Sequence, residues 1–231
     1  MIKQLVKPGM IVLDLGANVG YYTKILSTLV GHDGHVIAFE PHPKVFRILS
    51  KNVAALSNVT SVQLSVSDKN EKQTLYDFLP WSGGSSLRYN NNERMWYNKQ
   101  FPRIVSGADY ATYAVMTTTV DSWLAENNVN TVDFVKMDIE GAEFNALRGM
   151  IKTTRKNEKL IMVMELNPVA LESFGFDSQT VLSELHELGF RRVSIIGING
   201  KLDPLDQHEF EHLTRKLKDT YSVANLLCIK H

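Results

Sequence analysis

The stretch Val12-Leu13-Asp14-Leu15-Gly16-Ala17-Asn18-Val19-Gly20 decides how this chain folds. An apolar run reaches a carboxylate, passes through a turn carrying two glycines, and enters a segment compatible with a helix. Ile11–Leu15 is therefore predicted as a strand and Tyr21–Leu29 as the helix that follows it. Moving outward, the same alternation recurs. His35–Phe39 reads as a second strand, and His42–Ala55 as a helix with Val45, Phe46, Ile48, Leu49 and Val53 near helical spacing. Val59–Val66 reads as a third strand, Met116–Val120 as a short extra one, Val132–Met137 as a fourth and Leu160–Leu166 as a fifth. Helices are expected around Trp123 and Leu124, over Ala142–Arg148 and over Ser178–Leu188, the last ended by Gly189. Arg192–Ile196 and Ser222–Ile229 supply the final strands. The expected fold is α/β: a doubly wound, mostly parallel, seven-stranded sheet with helices on both faces and an antiparallel edge strand near the C-terminus.

The composition agrees with that reading and narrows the function classes. Residues 1–231 suit one α/β domain, and 44% hydrophobic with 22% charged residues is ordinary for a globular chain. Lys+Arg and Asp+Glu are 25 each, so no broad nucleic-acid-binding surface is expected. No apolar stretch is long enough for a membrane span, and Lys3, Lys7 and Pro8 interrupt any signal-peptide pattern. The single cysteine, Cys228, lies in an apolar run and has no internal partner, which suits a reducing, cytoplasmic setting. The oligomeric state is not legible. One region breaks the rhythm: an aromatic-rich insertion at about residues 80–115, with Trp81, Tyr89, Trp96, Tyr97, Phe101, Tyr110 and Tyr113. It is expected to fold over the ligand side of the sheet, either shaping a pocket or forming a small core of its own.

Three strand ends suggest a ligand. In a doubly wound sheet, ligands sit beyond the carboxyl ends of the strands. Gly16 and Gly20 allow the backbone to pass close to such a ligand, with Ala17 and Asn18 between them. The register is Asp-x-Gly-x-x-x-Gly, not the Gly-x-Gly-x-x-Gly that brings a helix N-terminus to a pyrophosphate. An acid at position 14 suits a cation. S-adenosylmethionine (SAM) carries a sulfonium and an ammonium and has no phosphate, so Asp14 fits it better than a dinucleotide. Glu40, followed by Pro41, ends the second strand about 20 residues past Gly20, where a carboxylate accepts both ribose hydroxyls. That feature alone does not separate SAM from NAD. Ser67 and Asp68 end the third strand, within reach of an adenine amino group.

These residues resemble the FkbM-type methyltransferases, a branch of the class I SAM-dependent enzymes. The resemblance runs from about Lys7 to Pro168. It is carried by Leu13–Thr23, Phe39-Glu40-Pro41, Val66-Ser67-Asp68, Gly84-Ser85-Ser86-Leu87, Thr119–Trp123, Val132–Glu143 and Glu165–Pro168, with Asp138-Ile139-Glu140-Gly141-Ala142-Glu143 the most specific piece. It implies SAM as methyl donor, S-adenosylhomocysteine as product, and a hydroxyl acceptor on a sugar, polyketide or other small molecule. Asp138 is expected near the sulfonium and is the candidate to position or deprotonate the hydroxyl, assisted by Glu143 or Glu165. Glu143 can equally serve as a helix-start carboxylate, and Glu140 is open in the same way. His42 is a rival base whose place after Glu40 puts it by the adenosine. No histidine has metal-ligand spacing. A Mg2+ held by Asp138, Glu165 or Asn167 is chemically feasible, though nothing in the residue pattern requires it. Methylation of a nitrogen on RNA or protein, a non-catalytic SAM-binding domain and a nicotinamide oxidoreductase are the alternatives. The first is disfavoured by the missing Asn/Asp-Pro-Pro-aromatic tetrapeptide, the last by the glycine register.

Overall fold

The structure is a computed structural model, and it describes residues 1–77, 85–89 and 111–230. In chain order the elements are α1 (Ile2–Leu5), β1 (Ile11–Leu15), α2 (Tyr21–Val30), β2 (His35–Phe39), α3 (Pro43–Val53), β3 (Val59–Val62), β4 (Ser65–Val66), β5 (Lys72–Asp77) and β6 (Ala111–Thr118). They continue with α4 (Val120–Glu126), β7 (Phe134–Met137), α5 (Glu143–Arg148), α6 (Ile151–Lys156), β8 (Ile161–Leu166) and α7 (Pro168–Ser173). The last are α8 (Ser178–Glu187), β9 (Arg192–Ile196), β10 (Leu202–Pro204), α9 (Gln207–Thr220) and β11 (Ala224–Ile229). Trp81, Trp96, Tyr97, Phe101 and Tyr110 of the expected insertion lie outside the described residues.

The main sheet runs β10-β9-β11-β8-β7-β1-β2-β3. From β3 to β8 all pairings are parallel, and β11 inserts antiparallel between β8 and β9. The main sheet contains strands at each position expected for it, and the short β10 adds an antiparallel edge to β9. β1 lies between β2 and β7, so the chain reverses its winding there and a crevice opens at the carboxyl ends of β1 and β7. Because β1 is covered on both faces, it reads as an apolar run rather than an alternation. Its two faces are still distinct. Leu13 and Leu15 join the larger core with Phe39, Met137, Phe144 and Leu147, while Val12 joins Leu26, Val30, Val36 and Phe134 under α2.

The helices follow from the same logic. α2 buries Thr23, Leu26, Ser27 and Val30, one helical stripe. α3 begins with Pro43 at its first position and takes His42 as N-cap, the ring accepting from the Lys44 and Val45 amides. α9 is the longest helix among the described residues, at 14 residues. Asp206 and Glu209 form a capping box that starts it, and Phe210, Thr214 and Leu217 bury one face.

Three stretches depart from the sequence expectation. Val59–Val66 is two strands, because Ser65-Val66 leaves the main sheet to pair with Thr117-Thr118. The Val62, Leu64, Val66 alternation looks continuous, and only a partner some fifty residues away ends it. The extra strand is Ala111–Thr118, not Met116–Val120, since the Thr119 hydroxyl accepts from the Ser122 amide and turns Val120 into the first residue of α4. β5 has weak alternation and was not expected; β6 supplies its antiparallel partner along its whole length. Together β4, β6 and β5 make a second, three-stranded sheet beside the carboxyl end of β2.

The C-terminal end of α5 comes close to the segment after β4, where Gly149 faces Ser67. A Cβ at Gly149 would lie 2.1 Å from the Ser67 carbonyl oxygen, which is backbone and cannot swing away. Gly149→Ala is expected to destabilise the protein by about 1–3 kcal/mol through overpacking alone, read as a lower urea midpoint with an unchanged slope.

Candidate active site

The crevice at the switch point holds a cavity of about 320 Å3. Gly16, Ala17 and Asn18 form one wall, Glu40 and Pro41 the next, and Asp138, Ile139, Glu140 and Glu165 the wall beyond β7 and β8. Leu64, Ser65 and Val66 lie at the β4 side, and Leu75, Ser85 and Leu87 come from β5 and the segment returning to it. The ends of β1, β2 and β7 thus share one cavity.

The loop after β1 is held from two sides. Gly16 and Ala17 donate their amides to the Phe39 carbonyl at 3.0 and 2.9 Å. Gly16 has φ +79, and a Cβ there would stand 1.8 Å from the Asp138 carbonyl oxygen, so position 16 admits glycine only. Asn18 takes φ +50, a left-handed geometry its short polar side chain tolerates, and donates its amide to Glu40 Oε2 at 2.9 Å. Glu40 Oε1 accepts from the His42 amide at 2.9 Å. Both oxygens are anchored, each retains a second lone pair, and burial raises the carboxyl above its ordinary value against the pull of those two amides.

Strand period explains Asp14. Side chains alternate faces along β1, so Asp14 follows Val12 toward α2, not toward the cavity. There its Oδ2 accepts from the Thr23 hydroxyl at 2.7 Å, and its Oδ1 faces Lys136 Nζ at 3.5 Å, the residue paired with it on β7. Lys136 is buried, donates to the Gly16 carbonyl at 2.8 Å, and stands 3.5 Å from Asp138 Oδ2. Burial pulls the ammonium down, and Asp14 and Asp138 more than offset it, leaving the group above its usual range. Lys136 carries the geometry of the whole switch point, yet the sequence reading did not select it. A lysine within an otherwise apolar strand was the available signal.

On the opposite wall, Asp138 is partly exposed, and oxygens of Asp138, Glu140 and Glu165 lie within 4.8 Å of one another, close enough to hold a cation. Glu143 is elsewhere. It is fully buried at the start of α5, where Oε1 accepts from the Ile139 amide at 3.1 Å and Oε2 has no hydrogen-bond partner among the described residues. Burial pushes its carboxyl up to about 7. Asn167 is occupied as the N-cap of α7, accepting from the Ala170 amide. His42 is buried as the cap of α3, with Nε2 2.9 Å from Asp77 Oδ2. Ser67 is buried, its hydroxyl bonded to Asp68, while Ser65 and Val66 just upstream reach the cavity instead. The structure therefore brings Gly16, Ala17, Asn18, Glu40, Pro41, Asp138 and Glu165 into the cavity wall, and does not bring Asp14, Gly20, Ser67, Asp68 or Glu143 there. Tyr22, missed earlier, lines the mouth beside the more exposed Tyr21, the two rings edge to face at 5.3 Å.

Comparison with known proteins places this arrangement. The methyltransferase FkbM domain matches residues 14–192. The 2-O-methyltransferase NoeI of Sinorhizobium fredii is 24% identical over 165 residues, covering 68% of this chain and 63% of that protein. Methyltransferase 1 of Beauveria bassiana is 26% identical over 145 residues, covering 60% of this chain and 57% of that protein. The chain thus spans about three fifths of the length of these two relatives. Methyltransferase sdnD of Sordaria araneosa is 24% identical over 190 residues, covering 72% of this chain and 73% of that protein. Among solved structures, the methyltransferase FkbM of Methylobacillus flagellatus superposes with a TM-score of 0.52 at 11% identity, over 97% of this chain and 48% of that one. A SAM-dependent O-methyltransferase from Thermotoga maritima superposes with a TM-score of 0.51 at 15% identity, over 99% of this chain and 63% of that one. These likenesses establish the class I methyltransferase fold, and the domain match, spanning most of the chain, makes it a member of the FkbM methyltransferase family.

Proposed function

We propose that this protein transfers the methyl group of SAM to a hydroxyl of a small molecule, a sugar or secondary metabolite. The observation that carries the reading is the charge of the cavity. Among the described lining residues, Glu40, Asp138, Glu140 and Glu165 are acidic and Lys136 is basic. The Lys136 ammonium is already engaged by Gly16, Asp14 and Asp138. A diphosphate would meet net negative charge with no cradle of donors, whereas a cationic nucleoside is attracted. In this reading Glu40 accepts from both ribose hydroxyls, one lone pair remaining on each anchored oxygen. The name of the relative NoeI, a 2-O-methyltransferase, supports a hydroxyl acceptor. The Tyr21–Tyr22 pair at the mouth offers an amphipathic aromatic face to a ring-shaped one.

SAM, when bound, supplies a methyl already activated on a sulfonium. The protein's part is to align the acceptor and to take its proton. Asp138, partly exposed in the wall, receives the hydroxyl proton on a carboxylate oxygen as the carbon–oxygen bond forms and the carbon–sulfur bond breaks. Lys136 lies 3.5 Å from the same carboxylate and fixes its orientation. Glu165 is placed to accept from a second hydroxyl of the acceptor. Glu143 works from beneath: its carboxyl grips the Ile139 amide and shapes the turn that carries Asp138 and Glu140.

One observation favours a variant of this reading. The three oxygens of Asp138, Glu140 and Glu165 would hold a hard divalent cation, which would lower the acceptor hydroxyl's pKa.

Three outcomes test the reading. SAM or S-adenosylhomocysteine is expected to raise the melting temperature while NAD does not. Asp138→Asn is expected to keep S-adenosylhomocysteine affinity within about 3-fold by calorimetry and to lower methyl transfer to a panel of sugar and polyketide alcohols by about 100-fold or more; unchanged turnover would remove Asp138 from proton transfer. Treatment with EDTA leaves that activity intact if Asp138 acts alone, and abolishes it, with rescue by Mg2+, if the cation variant holds. Glu143 predicts a pH dependence of stability. The unfolded chain loses this proton near the ordinary carboxylate value and the folded chain near 7, so the folded form binds the extra proton between those values. Stability is full below that window and falls as pH rises through it, on the order of 3 kcal/mol by pH 8. Glu143→Gln is expected to flatten the difference between urea midpoints at pH 5 and pH 8.

A further inference from the structure

Glu40 owes its position to two amides, those of Asn18 and His42. The first is set by the glycine turn. The second is set by the His42 ring, and the ring has a partner on the other sheet. His42 Nδ1 accepts from the Lys44 and Val45 amides at 3.2 and 3.3 Å, so the ring hydrogen sits on Nε2. That hydrogen is donated to Asp77 Oδ2 at 2.9 Å, with both side chains almost wholly buried. Tyr113, on β6, packs on the same ring at 4.5 Å between centroids. Asp77 closes β5, and its Oδ1 stands 3.4 Å from the Ser85 hydroxyl. The next residue, Ser86, pairs backbone to backbone with Tyr76 at 2.8 and 3.0 Å and donates its hydroxyl to the Glu140 carbonyl at 2.8 Å. A continuous run of hydrogen bonds and backbone therefore joins Glu40, through His42, Asp77, Ser85 and Ser86, to Glu140 across the cavity.

Resting on the SAM reading above, we infer that Asp77 is a positioning residue for the cofactor: through the His42 ring it holds the amide that aims Glu40, and it ties that grip to the Ser85–Ser86 segment bordering the cavity. The ring has no good alternative. Without an acceptor at Nε2, the hydrogen is either buried without a partner or moves to Nδ1, where it opposes the Lys44 and Val45 amides and breaks the cap of α3. Either way the His42 amide leaves Glu40. The tie need not be a charge, only an acceptor, so the amide of asparagine should serve.

The test compares S-adenosylhomocysteine binding, by calorimetry, in four proteins. Asp77→Leu is expected to weaken binding about 10-fold or more, and Asp77→Asn to restore it to within about 3-fold of wild type. Thr117→Val loosens the root of the same sheet, where the Thr117 hydroxyl donates to the Lys69 and Glu71 carbonyls, without touching His42. It is expected to lower the melting temperature and leave affinity unchanged. Asp77→Ser, a milder loss of reach, stands in if Asp77→Leu does not fold. Wild-type affinity in folded Asp77→Leu, or in Asp77→Ser where that stands in, overturns the inference, and so does an equal loss in Thr117→Val. A wild-type protein that binds neither SAM nor S-adenosylhomocysteine overturns the methyltransferase reading itself, a different and separable result.

Discussion

One buried ammonium organises the switch point of this molecule. Lys136 Nζ lies 3.5 Å from a carboxylate oxygen of Asp14 and of Asp138 and donates to the Gly16 carbonyl. Asp14 is wholly buried with a single hydroxyl partner, so without Lys136 a carboxylate would be stranded in the core, an arrangement that costs about 3–5 kcal/mol when one partner is removed. The lysine thereby fixes the loop after β1 against the loop after β7, the two loops that part to form the crevice. Gly16 accepts this closeness because it lacks the Cβ that would strike the Asp138 carbonyl.

The same pairing sets the electrostatics of the cavity. With the Lys136 cation engaged by Asp14, Asp138 and Gly16, the wall presents carboxylates on one side, through Glu40, and on the other, through Asp138, Glu140 and Glu165. On the proposed reading, such a cavity favours a ligand with positive charge over phosphate, unlike the dinucleotide sites built on similarly wound sheets. Glu143 is kept apart from this wall, buried beneath the turn it shapes.

The second sheet extends this arrangement. β4 leaves the main sheet to pair with β6, and β5 pairs with β6 from the other side, so the carboxyl end of β5 arrives beside the loop after β2. The family match and the class I fold account for the main sheet. The bonds from Asp77 to His42 and from Ser86 to Glu140 join the smaller sheet to both ends of the cavity.

Local pattern determined a good deal of this. Apolar runs ending in Asp14-Leu15-Gly16, Phe39-Glu40-Pro41 and Met137-Asp138 placed these strands and the cavity-wall positions Gly16, Ala17, Asn18, Glu40 and Asp138, because strand periodicity and glycine turns are properties of neighbouring residues. Tertiary structure alone decided the rest. Asp14 turned to α2 because its face was assigned by what packs under β1. Lys136 gained its role from a pairing more than a hundred residues away in the chain. The division of Val59–Val66, the length of β6 and the tie between His42 and Asp77 depend on strands that meet only after folding, and no short window of sequence contains both partners of such a contact.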